Sequence, residues 1–263
     1  MEIWYTILLA IAGLIAGFLN VLAGGGSLLV LPIMVLLLGM PGPLANGTTR
    51  LAILAQNISA IAGFRKKGFS DFRLSLSLAL CALPGAALGA YYGTKLDGVW
   101  FNRTLALVMI GVMIIMAFDK KKPKKRPAES PEDPGARDAI ASPDMTPRQR
   151  LAGHGLMVLV GFYGGFIQAG VGFILMAVLH RVMGLDLVRT NMHKVFIVAA
   201  YTVVAIALFA GSGNILWGYA LILAIAMAAG GWIGSHLAVT KGEGLIRVVL
   251  NITLAILIVK LLF

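Results

Sequence analysis

The sequence has few charged residues, and they are unevenly distributed. Asp, Glu, Lys and Arg together make up 13% of the chain, about half the share of a typical soluble domain. None of the four occurs between positions 3 and 49. Hydrophobic residues make up 59%, and the mean hydropathy is +0.90. The composition therefore indicates an integral membrane protein, and the continuous apolar runs favour helices over a β-barrel.

Several patterns that carry chemistry in other proteins are missing. The sequence has one cysteine, Cys81, so an intrachain disulfide is excluded. The four histidines lack metal-ligand spacing on one helical turn, and there is no HExxH motif and no phosphate-binding Gly-Lys-Ser/Thr loop. We therefore expect no metal, no cofactor and no enzymatic activity. A channel is disfavoured because no filter-like loop or ring of charges is found.

The net charge of +11 does not indicate nucleic-acid binding, because the basic residues cluster in loops between apolar runs. That placement is typical of the cytoplasmic loops of a multi-pass protein in a lipid bilayer. The segment Met1-Glu2-Ile3-Trp4 lacks the basic region of a signal peptide, so we expect the first helix to stay in the mature protein.

The apolar runs predict an all-α, polytopic transmembrane protein. Two Gly-rich breaks, at residues 24–26 and 169–172, separate a long run from a short apolar segment that follows it. The predicted long helices cover residues 3–23, 44–64, 74–92, 104–118, 151–168, 190–210, 216–237 and 245–263, and the short segments cover 27–38 and 172–183.

Residues 119–150 differ in kind from the rest of the chain. They are rich in charge and proline and poor in large apolar residues, so they cannot bury enough surface to fold alone. We interpret them as a flexible, charged cytoplasmic linker between a first transmembrane repeat, residues 1–118, and a second, residues 151–263.

Short matches relate the two repeats to each other. Each match pairs residues of similar chemistry in the same order along the chain, which indicates two halves of similar fold. The pairs are GFLN at 17–20 with GFIQ at 165–168, AGGG at 23–26 with AGVG at 169–172, and RLAIL at 50–54 with KVFIV at 194–198.

Loop charges suggest that the two halves are inverted. The loop after the Arg50 helix is strongly basic, whereas in the second half Arg181 and Arg189 precede the Lys194 helix and the loop after it is uncharged. By the positive-inside rule the halves then have opposite orientations. Inversion needs an odd number of segments in each half, which is five if each short piece after a break counts separately. If the breaks only kink single spans, the halves have four segments each and are parallel.

Arg50 and Lys194 are the candidate centre of a substrate site between the halves. A cation within a membrane helix is costly, so it is a functional-site hypothesis by default. Neighbouring side chains can donate hydrogen bonds, and glycines at the breaks let backbone donors approach an anion. Asn57 and Tyr201 lie seven residues after the two cations and so on their helix faces. The remaining candidates are Asn46, Thr48, Thr49, Thr190, Asn191, His193, Gly24, Gly25, Gly26, Gly170 and Gly172.

The motifs GFLNVLAGGGS at 17–27, ANGTTR at 45–50 and RTNMHKVFIV at 189–198 resemble the sulfite exporter TauE/SafE family of membrane permeases. The resemblance implies a transporter in the bacterial plasma membrane for small sulfur-containing anions such as sulfite or an organosulfonate. The sequence departs from the family pattern at Thr49, where Asn is frequent, and at Val171 and Phe173, where a fuller glycine run is common. These departures leave the substrate open.

The sequence thus predicts a secondary transporter for a small oxyanion bound between two repeats that rock against each other. His193 is the candidate proton carrier if transport is coupled to protons. Two alternatives stay open. One is a non-transporting membrane subunit or assembly factor whose linker binds a soluble partner, and the other is a transporter of a neutral or cationic solute. The oligomeric state is also open.

Overall fold

The computed structural model describes residues 3–96, 98–118 and 145–240, and within these ranges every regular element is a helix. The all-α prediction is confirmed. Helices α2 and α7 continue as π-helical turns over Ile33–Leu37 and Ala177–Val182. The α-helices are α1 Ile3–Ala23, α2 Ser27–Pro32, α3 Gly42–Lys66, α4 Phe72–Thr94, α5 Gly98–Phe118, α6 Pro147–Phe166, α7 Val171–Met176, α8 Leu187–Gly211 and α9 Trp217–Thr240.

Four of the described helices, α1, α4, α8 and α9, are long and apolar enough to cross a membrane. Their outer faces expose large apolar side chains, among them Ile11, Leu80, Val203 and Ile225. Such faces are stable against lipid tails and not against water. Helix α3 is more polar because it carries buried residues such as Arg50, which face the interior of the bundle.

Two predicted boundaries are wrong. Helix α5 begins at Gly98, six residues before the predicted start, so Arg103 lies on a helix and stacks 5.3 Å from the ring of Trp100. Helix α6 begins at Pro147, inside the predicted linker, because Thr146 and Gln149 form a capping box. Residues 119–144 of the predicted linker and the predicted helix at 245–263 lie outside the described residues.

Both Gly-rich breaks reverse the direction of the chain. Gly24 and Gly170 adopt left-handed backbone conformations, with φ of 84° and 69°. A Cβ added to Gly26 would lie 2.0 Å from the carbonyl oxygen of Ala16, ten residues earlier, so α2 starts alongside α1. In the second half, Met183 packs against Gly153 near the start of α6. The short pieces are therefore separate limbs and do not continue the helices that precede them. The prediction of five segments in each half needs such separate limbs, and its last segment, at 245–263, lies outside the described residues.

The two halves interlock through their helices. Helix α4 packs on α6 and α8 of the second half, and α9 packs on α1 and α3 of the first. Glycines allow these contacts, since a Cβ added to Gly17 would lie 2.3 Å from the Met227 carbonyl oxygen and one added to Gly85 would lie 2.0 Å from that of Val158. Small residues let membrane helices approach this closely. Helix α4 of the first half and helix α9 of the second half thus pack mainly against helices of the other half.

Helices α3 and α8 cross in antiparallel directions at the centre. The start of α3 lies beside the end of α8, because the backbone N–H of Leu216 donates to the hydroxyl of Thr48 at 3.0 Å. Further along α3, Asn57 shares a cavity with Lys194 near the start of α8. Equivalent helices in inverted halves run antiparallel, so this crossing supports the inverted arrangement, which stays a prediction.

One end of the bundle collects most of the described basic residues. The Oγ of Ser75 at the start of α4 lies 2.8 Å from Nδ1 of His193 near the start of α8, and the Oγ of Ser77 lies 3.1 Å from Nε2 of His154 near the start of α6. The starts of these three helices therefore share one end. Basic residues on or next to this end are Arg65, Lys66, Lys67, Arg73, Arg148, Arg150, Arg181 and Arg189.

The opposite end is formed by the end of α4 and the loop before α9. The side-chain amide of Asn214 donates to the carbonyl of Thr94 at 3.4 Å. The described basic residues here are Lys95 and Arg103. The charge asymmetry between the two ends follows the positive-inside rule and favours the cytoplasm for the end with the basic cluster.

Candidate functional site

Arg50 is fully buried, and its guanidinium binds the end of a helix in the other half. One terminal nitrogen donates to the carbonyl of Gly164 at 2.6 Å, and the other donates to that of Gly165 at 2.6 Å and to Oδ1 of Asn46 at 3.2 Å. The guanidinium carbon also lies 5.0 Å from the centre of the Phe209 ring. Carbonyls at the C-terminal end of α6 thus receive two charge-assisted hydrogen bonds.

Lys194 makes the matching contact with the end of α1. Its ammonium donates to the carbonyls of Asn20 and Val21 at 3.2 and 2.9 Å, and to Oδ1 of Asn191 at 2.6 Å. The amide of Asn191 in turn donates to the carbonyl of Leu22 at 3.5 Å. Only 2% of the surface of Lys194 is exposed.

The two contacts are reciprocal between the halves. Arg50 on α3 binds the last turn of α6, and Lys194 on α8 binds the last turn of α1. A helix C-terminus carries unpaired carbonyls and a partial negative charge, so a cation is stabilised there. Each cation therefore both satisfies a buried helix end and keeps a positive charge near the breaks.

The structure separates the predicted site residues into two groups around these cations. Asn46 and Tyr201 lie with Arg50, since the amide of Asn46 donates to the carbonyl of Phe166 at 2.8 Å and Tyr201 packs against Gly164. Asn57 and Asn191 lie with Lys194.

Four other candidates have hydrogen-bond partners within the protein and lie away from the cavity. The hydroxyl of Thr49 donates to the carbonyl of Asn46 at 2.8 Å, and that of Thr190 is 3.5 Å from the carbonyl of Leu185. The hydroxyl of Thr48 accepts a hydrogen bond from the backbone N–H of Leu216, just before α9. The buried His193 makes a hydrogen bond with the hydroxyl of Ser75 on α4. These four side chains are absent from the residues that line the cavity described next.

The glycines of the two breaks meet at the centre of the molecule. A Cβ added to Gly24 would lie 2.5 Å from the Cα of Gly172, and one added to Gly172 would lie 2.2 Å from the Cα of Gly24. Gly25 and Gly26 are buried beside them, and Gly170 donates its N–H to the hydroxyl of Ser27 at 3.2 Å. The breaks therefore form one joint between the halves.

A small cavity opens next to this joint, with room for about one water molecule. Its lining comes from both halves, and it includes two residues of the second break together with Ser27, which follows the first break. Lys194 is its charged residue, and no acidic side chain is among the described residues that line it. The lining residues are Asn20, Ser27, Ile53, Asn57, Gln168, Val171, Gly172, Lys194 and Val198.

Three polar residues of the cavity are absent from the candidates chosen by sequence. Asn20 and Gln168 close the matched segments GFLN and GFIQ, and Ser27 follows the first glycine run. A polar residue at the same position of both repeats, within apolar surroundings, was the signal that could have identified Asn20 and Gln168.

Comparison with known proteins identifies a family to which nearly the whole chain is similar. The family model described as "Sulfite exporter TauE/SafE" matches residues 9–261. The chain belongs to this family. The TauE/SafE resemblance seen in the sequence motifs is thereby confirmed, and the protein is a membrane transporter of this family.

Relatives of the TauE/SafE protein cover nearly the whole chain. It is 27% identical over 254 residues to "Probable membrane transporter protein ORF9" of Sinorhizobium sp, covering 97% of this chain and 91% of that protein. It is 26% identical to a "Probable membrane transporter protein" of Haemophilus influenzae, covering 89% and 86%. A third relative, "Probable membrane transporter protein YunE" of Bacillus subtilis, is 26% identical, covering 88% and 86%. No solved structure gives a significant match.

Proposed function

We propose that this TauE/SafE transporter moves a small anion, and specifically a sulfur oxyanion such as sulfite or an organosulfonate, through the cavity between its two halves. The observation that carries the proposal is the position of Lys194 in a cavity that is otherwise lined by neutral side chains. A buried cation in such a place favours an anionic ligand, because the charge is poorly screened there.

The cavity also offers neutral hydrogen-bonding groups. Asn20, Ser27, Asn57 and Gln168 line it together with Lys194. Amide and hydroxyl groups can donate to several oxygens of a tetrahedral or pyramidal oxyanion. The printed family description names sulfite export, which is the reason for placing sulfur oxyanions first among small anions.

The joint at Gly24 and Gly172 suits alternating access. At Gly24 and Gly172 the backbones of the two halves approach each other with no side chain of either residue between them, next to the cavity that would bind the substrate. Transport by rocking of repeats around a central site is the general mechanism of transporters built this way. We place the protein in the bacterial inner membrane with the basic end in the cytoplasm. Proton coupling through His193 stays a prediction.

The direct test is Lys194→Gln, which removes the charge but keeps two N–H donors for the carbonyls of Asn20 and Val21. The purified variant is reconstituted into liposomes, and uptake of radiolabelled sulfite is measured. We expect uptake to fall at least tenfold, because the variant lacks the positive charge that attracts the anion in a poorly screened site, and a loss of only about 1.4 kcal/mol already corresponds to tenfold. The matched control is Arg73→Gln, which removes an exposed cation at the basic end and should transport normally.

Thermal unfolding identifies the anion before transport is assayed. A ligand that binds only the folded state raises the melting temperature, by the equivalent of about 2.7 kcal/mol at a hundredfold excess over Kd. The wild type is heated with sulfite, sulfate, thiosulfate, sulfoacetate, taurine, acetate or chloride. We expect a shift with one sulfur oxyanion that disappears in Lys194→Gln. Equal sulfite transport by this variant and the wild type would show that Lys194 has no role in binding the anion. Failure of the wild type to bind or transport any of these anions would favour a neutral or cationic solute.

A further inference from the structure

Gln168 differs from every other described residue in its backbone. It has a φ of 65°, and it is the one residue other than glycine that has a positive φ within the described ranges. The left-handed conformation is strained for a residue with a Cβ and costs free energy. A glycine at this position would avoid the cost, as Gly170 does two residues later. Retention of a long amide side chain at a strained position is typical of a functional residue.

The side chain of Gln168 also has an unused hydrogen-bonding group. The residue is 2% exposed and lines the cavity, and its Oε1 has no hydrogen-bond partner among the described residues. Its Nε2 lies 3.5 Å from the hydroxyl of Thr202, which is a long contact. A buried polar atom without a partner is costly unless a ligand or water satisfies it.

The equivalent residue of the first repeat, Asn20, already has hydrogen-bond partners within the protein. Asn20 lines the same cavity, but its amide nitrogen donates to Oε1 of Gln56 at 2.8 Å, and its backbone carbonyl accepts from Lys194. The first repeat thus uses its polar residue to hold the structure together. The second repeat leaves the amide of Gln168 available.

We propose that Gln168 is a substrate-binding residue, whose amide donates a hydrogen bond to an oxygen of the anion while Lys194 supplies the charge. The inference rests on the anion transport proposed above. A half-turn of the amide about its terminal bond brings Oε1 to the hydroxyl of Thr202, which can donate to it. The same half-turn places Nε2, with its N–H donors, at the position that the unpartnered Oε1 now occupies. The left-handed backbone is then the cost of placing this amide in the cavity.

The test uses three substitutions in the full-length transporter. Gln168→Gly removes the amide and the backbone strain together, so we expect an unchanged or higher melting temperature and a KM for sulfite raised about tenfold. Gln168→Glu keeps the shape but cannot donate when ionised and repels the anion, so we expect transport to be lost. Gln168→Asn keeps a donor amide and tolerates the left-handed backbone, so we expect a smaller rise in KM.

The outcomes separate this inference from the proposed function. If the wild type transports sulfite and Gln168→Gly has the same KM, Gln168 has no role in binding and the inference is overturned. A lower melting temperature with an unchanged KM would assign Gln168 a structural role. Faster transport by Gln168→Glu would also overturn it, since the ligand would then be a donor or a cation. If the wild type transports none of the anions, the proposed function itself fails.

Discussion

Arg50 joins two helices by hydrogen bonds, and it also supplies a positive charge. Its terminal nitrogens satisfy two carbonyls in the last turn of α6, and no other described side chain donates to either carbonyl. A planar fork with parallel N–H groups fits two adjacent carbonyls, whereas the single ammonium of a lysine does not. The identity of this residue is therefore set by the helix end that it binds.

Replacement of Arg50 by Ala should destabilise the protein by about 2–5 kcal/mol, because it leaves buried carbonyls of Gly164 and Gly165 without donors. Arg50→Lys should recover part of this loss. The measurement is thermal unfolding in detergent, followed by the fluorescence of tryptophan. The control is Arg103→Ala, which removes an exposed guanidinium stacked on Trp100 and should change stability by less than about 1 kcal/mol. Equal melting temperatures for Arg50→Ala and the wild type would refute a role in stability.

The sequence predicts the position of both cations but not their partners. Their places at the start of equivalent helices follow from the repeat, and the spacing of seven residues places Asn57 and Tyr201 on the same faces. The bonds from Arg50 to Gly164 and from Lys194 to Asn20 join residues 114 and 174 positions apart. No local pattern encodes a contact over such a distance. The strained backbone of Gln168 is likewise a result of the tertiary fold.

At the scale of elements, the contact between Gly24 and Gly172 fixes how the two breaks fit together. Gly24→Ala should be destabilising for two reasons, since φ is 84° and the new Cβ would meet the backbone of Gly172 at 2.5 Å. Gly39→Ala is the matched control, because its φ is 64° and no atom lies within 4 Å of the added Cβ. We expect Gly24→Ala to cost about 1–3 kcal/mol more than Gly39→Ala in thermal unfolding. Equal losses would mean that the two breaks can separate at no cost.

The helices themselves were largely predictable because apolar length and glycine breaks are local signals. The predicted bounds of α1 coincide with Ile3–Ala23. The start of α5 differs from the prediction because the charge of Arg103 favours a loop at that position, whereas a basic side chain at the exposed end of a helix can stack on a neighbouring aromatic ring. The reversal of the chain at each break was predicted only as one of two possibilities. It depends on packing of Gly26 against Ala16, which sequence does not show.

At the scale of the whole molecule, the crossing of α3 and α8 places the loops that follow them at opposite ends. The loop after α8 bonds to Thr48 at the start of α3, and α3 is 25 residues long, or about 37 Å. Ser70 and Ser212 are exposed in the two loops. Inverted halves therefore predict that a membrane separates these two serines.

Thiol labelling in intact cells tests this topology. Cys81 is first replaced by Ala, and a single cysteine is then introduced as Ser70→Cys or Ser212→Cys. A membrane-impermeant maleimide should label position 212 from outside, and it should label position 70 only after the cells are permeabilised, because the basic end faces the cytoplasm. Labelling of both positions from the same side would contradict inverted halves and favour the arrangement with parallel repeats.

The hydrogen bonds between Lys194 and the end of α1 can form only late in biosynthesis. The ammonium of Lys194 reaches the carbonyl of Asn20 across 174 positions of the chain. At 5 to 20 residues per second, the ribosome needs about 9 to 35 s to synthesise the intervening chain. During that interval the last turn of α1 lacks its native donor, so it must be held by water or by the insertion machinery. Helix α1 is therefore among the last to reach its final packing, although it is synthesised before the other described helices.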